Sequence, residues 1–67
     1  MIFYECRLLR PDGTAIAHDP KNPAGWLPTT KERYEFARDR DGLKHQAFPG
    51  GIILEYRAIG LVAVKCD

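Results

Sequence analysis

The nitrogen and sulfur donors for zinc in the 67-residue chain are Cys6, His18, His45 and Cys66. No two of them fall within the short intervals that zinc fingers and knuckles use, so neither a metal ion nor any other cofactor is expected. The same residue types can form a thiolate nucleophile beside a histidine base, and because the chain has no serine, only the two cysteines qualify. Each shares strand parity with apolar or aromatic neighbours, Cys6 with Tyr4 and Leu8, Cys66 with Val62 and Val64, which is the pattern of small core residues. Carboxylate chemistry has one candidate set: Glu32, Glu35 and Asp39 share a helix face at i, i+3 and i+7. A stripe of that kind is the ordinary solvated face of an amphipathic helix. The Gly50-Gly51 pair lacks the further glycines, the lysine and the following helix of a phosphate-binding loop. A chain this short hardly builds both a core and a closed substrate pocket of roughly several hundred Å3. The expectation is a protein that is not an enzyme.

Recognition chemistry is better represented. Ten Lys and Arg against nine Asp and Glu give a net charge of +1, with 45% apolar residues. That balance excludes a disordered tail and a nucleic-acid binder that works by bulk charge. Trp26 stands in a proline-bearing run beside Leu27, and tryptophan is strongly enriched at binding hot spots. The chief expectation is therefore a small protein-binding module, an adaptor or inhibitor of a larger protein. Trp26 and Leu27 are its apolar anchors, and Arg33, Arg40, Glu32, Glu35 and Asp39 orient the partner by charge complementarity. The competing reading of Trp26 and Leu27 is a lid folded over the helix and sheet. The alternative function is a small nucleic-acid-binding module. Its arginine-bearing helix face would run through Arg33 and Arg40 to Lys44, joined by Arg7 and Arg10, with Tyr34 and Phe36 for stacking. The alternation Arg38-Asp39-Arg40-Asp41 speaks for local ion pairs instead. Small size by itself, with Met1 at the start, fits a complete small gene product such as an accessory protein of a phage or other mobile element.

The elements that must position these groups follow from period and punctuation. Residues 2–9 alternate as a strand, with Ile2, Tyr4, Cys6 and Leu8 on one face and Phe3, Glu5, Arg7 and Leu9 on the other. Arg10-Pro11-Asp12-Gly13 is a turn, and Thr14–His18 is expected to return as the second strand of a hairpin. Pro20, Pro23, Gly25 and Pro28 make residues 19–28 a loop through which no helix or ladder runs. Thr29 and Glu32 have capping-box spacing and Gly42 suits a C′ position, so the spacing predicts a helix from about Thr30 to Asp41. Its buried face would carry Phe36 and Ala37, fringed by Arg33 and Arg40. Ile52–Ile59 alternates again, and Gly60 is expected to turn a hairpin into a last strand, Leu61–Cys66, a bulge in one long strand being the other reading. The outer face of the sheet, where Phe3, Leu9, Ile53 and Ile59 share the parity opposite to the expected core and so either pack under the loop or lie exposed for a partner, is a second candidate surface. The fold class is thus α+β, one domain over residues 1–67. Two β-hairpins flank one helix in the order ββαββ, and the antiparallel sheet packs on that helix.

The residues after Met1 lack the basic and long apolar regions of a secretory leader, and no apolar run approaches the roughly 20 residues of a membrane helix. A cytoplasmic protein with reduced thiols and no membrane contact is expected. Chains of this size bury little core, so a homodimer through an open sheet edge is a further expectation.

Overall fold

A computed structural model describes residues 1–60. Two eight-residue strands form its centre, β1 (Ile2–Leu9) and β4 (Ile53–Gly60), paired antiparallel from Ile2 opposite Gly60 to Leu9 opposite Ile53. Both strands carry a Glu-x-Arg triplet, Glu5-Cys6-Arg7 and Glu55-Tyr56-Arg57, and the register sets Glu5 against Arg57 and Arg7 against Glu55. Sliding the strands by two residues would set glutamate against glutamate or arginine against arginine. Sliding by one would send every side chain to the wrong face. The triplets therefore fix the register electrostatically as well as by hydrophobic parity.

Short strands close the two edges. β2 (Leu27–Pro28) pairs antiparallel with Glu5 and Cys6 of β1, and β3 (Lys44–Gln46) pairs antiparallel with residues 53–55 of β4, giving the sheet order β2-β1-β4-β3. With α1 (Lys31–Arg40), the one α-helix among the described residues, between β2 and β3, these residues form a small α+β fold of order ββαββ. The second strand is not the one expected. After the turn at residues 10–13, where the Asp12 carboxylate accepts from the Thr14 amide and hydroxyl, the chain forms no second strand but meets the end of β1 at an isolated Ala15–Leu9 bridge, flanked by the Ile16 amide on the Leu8 carbonyl and the Arg10 amide on the Thr14 carbonyl. Those two hydrogen bonds from Thr14 hold the Asp12 carboxyl below its usual pKa. The remaining edge of β1 is taken by Leu27 and Pro28 and by the Thr29 amide on the Tyr4 carbonyl. Proline is tolerated in a ladder at such an outer edge. β3 is a three-residue polar segment with no periodic signal of its own, and sequence alone did not announce it.

The helix begins one residue later than its capping-box spacing implied. Thr29 is committed to Tyr4, so Thr30 adopts the extended N-cap conformation and its hydroxyl accepts from the Arg33 amide at 3.2 Å. Asp41 caps the other end and Gly42 follows with φ +85°. The face turned to the sheet also differs. Ala37 is buried and the Tyr34 ring lies 5.0 Å from that of Tyr4, whereas Phe36 is 57% exposed. Alanine at the closest approach lets α1 lie near the strands, and the larger Phe36 ring is left on the flank.

The helix covers the Tyr4/Cys6/Tyr56 face, where burial raises the Tyr56 phenol pKa above its ordinary 10.0 and the Cys6 thiol adds to the shift. The loop between β1 and β2 covers the opposite face. Under it Leu9 is 2% exposed, the most deeply buried large side chain among the described residues. The residues of this second parity therefore divide, Leu9 and Ile53 lying at the covered end and Phe3 and Ile59 exposed at the other. The expected strand Leu61–Cys66 lies outside the described residues.

Candidate protein-binding surface

Trp26 is placed by the last turn of the loop before β2. The Gly25 amide donates to the Asn22 carbonyl, and the Asn22 side-chain amide donates to the carbonyl of Trp26 at 2.8 Å. Leu27 stands opposite Cys6 on the helix-facing side of the sheet, so its neighbour Trp26 falls on the other side, over the charge ladder. There the Arg7 and Arg57 guanidinium carbons lie 4.3 Å and 4.0 Å from the indole centroid. Each guanidinium is held from below by a carboxylate: Arg7 Nε donates to Glu55 at 2.7 Å, and Arg57 reaches Glu5 at 2.8 Å. A second Arg7 nitrogen donates to the Ala24 carbonyl at 3.2 Å. The four charges cancel, and the ladder presents a flat, positively faced platform on which an electron-rich indole stacks.

The two expected anchors are thereby parted. Trp26 is part-buried on the ladder, while Leu27 is exposed on the opposite side of the sheet. Replacing Trp26 with alanine is expected to lower stability by about 2 kcal/mol, below the 3–5 kcal/mol or so of a fully buried tryptophan because the ring is only partly covered. Trp26→Phe, which keeps a stacking ring, is expected to recover most of the loss. Urea unfolding followed by far-ultraviolet circular dichroism checks both, and an unchanged Trp26→Ala midpoint would show that the indole does not hold the loop.

The charged candidates are all on α1. Glu32, Arg33, Asp39 and Arg40 are exposed and Glu35 is part-buried. Arg38, not among the expected residues, collects the acids: its guanidinium is 3.0 Å from Asp39 and 3.9 Å from Glu35, and the hydrogen bond to Asp39 raises its pKa further. Arg33 and Arg40 have no carboxylate in ion-pair range among the described residues. The Arg40 guanidinium instead lies 5.1 Å from the Phe36 ring centroid. Arg7 sits on the face away from the helix, and Lys44 belongs to β3 opposite Glu55, so neither extends the helix arginines.

The second candidate surface, the outer face of the sheet, is open at one end. Met1, Ile2, Phe3 and Ile59 are exposed together at the end of the β1–β4 pair away from Leu9, and Ile2 and Phe3 show opposite sheet faces. Parity was the available signal for Phe3 and Ile59, and it does not decide between cover and exposure. An open hollow lined by Pro11, Lys44, His45, Gln46, Gly51 and Ile53 lies apart from this end, at the β3 edge. His45 Nδ1 there is 2.9 Å from the Gly42 carbonyl, and no metal-ligating cluster of three or more His, Cys, Asp or Glu exists among the described residues. No helix among them is long and apolar enough to cross a membrane. Comparison of the chain with protein-family models, with curated proteins and with solved structures finds no match in any of the three.

Proposed function

We propose that this chain is a protein-recognition module that acts by contact, as an adaptor or inhibitor, and performs no chemistry of its own. The observation that carries this reading is an apolar patch at the end of the sheet, the exposed cross-strand pair Phe3 and Ile59 on one face, with Met1 and Ile2 exposed at the same end. The patch stands on the two longest strands, held in register by two part-buried ion pairs, so it is presented on rigid backbone and loses little entropy on docking. Leu27 adds an apolar rim on the helix side, and the helix charges orient the partner.

The test is affinity capture from nuclease-treated lysate with the wild type, Phe3→Glu and Leu27→Glu, each first shown by circular dichroism to be folded. A stoichiometric protein that survives nuclease and binds about thirtyfold more weakly to Phe3→Glu, the loss of one hot-spot side chain, is the expected result. A catch that nuclease removes, or one indifferent to both substitutions, would overturn the reading.

A further inference from the structure

The overall charge of +1 conceals how unevenly the cations are engaged. Arg7 and Arg57 are tied to Glu55 and Glu5 beneath Trp26, Arg38 is tied to Asp39 and Glu35, and Arg10 donates to Thr14 and the Ala15 carbonyl within its own turn. Arg33 and Arg40 are the two arginines without such partners among the described residues. They lie at i and i+7 on α1, two turns or about 10 Å apart along the axis, with Phe36 exposed between them. The helix thus offers two positive points bracketing one apolar ring, and Arg40 already lies against that ring.

We propose that this flank of α1 docks an acidic segment of a protein partner. The segment carries two carboxylates about 10 Å apart, to meet Arg33 and Arg40, and an apolar side chain between them that covers Phe36. The proposal rests on the reading of the chain as a protein-recognition module and names the chemistry of what it recognises at the helix. Charge complementarity selects the occupant. A phosphate backbone presents negative charge continuously, whereas the residue between Arg33 and Arg40 on this flank is the apolar, exposed Phe36, which gives no counter-charge to the phosphates that would fall there. A peptide can place its carboxylates at two points and apolar carbon everywhere else. Arginine suits those points because its planar fork takes a carboxylate bidentately, which lysine does not.

The experiment is fluorescence anisotropy with three labelled probes: a peptide with two glutamates flanking two leucines, its glutamine counterpart, and a single-stranded oligonucleotide of equal charge. The full chain is expected to bind the glutamate peptide about tenfold more tightly than the glutamine peptide. Arg33→Gln and Arg40→Gln should each weaken it about threefold to fivefold, and Phe36→Ala about tenfold. These three side chains are exposed, so the variants are expected to keep the fold, and circular dichroism checks that they do. Equal affinity for the two peptides, tighter binding of the oligonucleotide, or wild-type affinity in the three variants would each overturn the docking flank. If that flank fails while capture of a protein partner still depends on Phe3, only this inference falls; if capture fails and the peptide still discriminates, only the apolar end is misassigned.

Discussion

Leu9→Ala is expected to leave the chain largely unfolded at room temperature. Leu9 is 2% exposed, at the end of β1 where the loop, the Ala15 bridge and Ile53 of β4 close over it. Truncating a buried leucine to alanine costs about 2–5 kcal/mol, the transfer term plus the cavity left behind. A chain near this size has a total stability of roughly 3–5 kcal/mol to draw on. No second large side chain among the described residues is buried as deeply, so little surrounding core is available to collapse into the space. Leu9→Met, which keeps most of the volume, is expected to cost less than about 1.5 kcal/mol and to stay folded. Far-ultraviolet circular dichroism with urea titration of the three proteins decides the matter, and coincident curves would mean that the loop-covered face contributes little to the fold.

Gly25→Ala is expected to be nearly as damaging, for a different reason. Gly25 is buried with φ +77°, and a Cβ built there would stand 2.7 Å from the carbonyl oxygen of Ile16. The left-handed conformation costs a non-glycine residue roughly 1–2 kcal/mol. Relieving the clash moves backbone, since the obstacle is a carbonyl and not the end of a flexible side chain, and overpacking of that kind adds about 1–3 kcal/mol. Gly42→Ala is the matched control: its φ is +85°, but nothing lies within 4 Å of the added carbon. The difference between the two unfolding free energies isolates the close approach of the loop to itself, which sets the position of Trp26 one residue on. Equal destabilisation by the two substitutions would remove that steric term and leave conformation as the whole effect.

Much of the architecture is legible in local pattern. β1 was readable because alternation over eight residues ends at a Pro-Asp-Gly turn, β4 because the same alternation resumes after Pro49-Gly50-Gly51. The helix was readable from its punctuation, although which threonine caps it was not. Thr29 and Thr30 are chemically equivalent, and the choice fell to the Thr29 amide bonding Tyr4 across the sheet. Thr14–His18 has the composition of a strand, yet β1 has only one outer edge and β2 occupies its middle.

The candidate surface divides along the same line. From the amino-acid sequence alone came the α+β class, the two long strands and their parities, the helix and the arginines on its flank, all set by interactions within a few residues of chain. Tertiary structure alone decided that Trp26 and Leu27 face opposite ways, that Phe36 is exposed while Ala37 is buried, and that Phe3 and Ile59 lie open while Leu9 is buried and Ile53 part-buried. It also decided which carboxylate neutralises which arginine, since Arg7 meets Glu55 across 48 residues of chain and Arg57 meets Glu5 across 52. Parity along a strand is fixed by backbone geometry and can be read from spacing. Which face is covered, and which charge is left unpaired, depends on contacts between segments that are close only after the chain has folded.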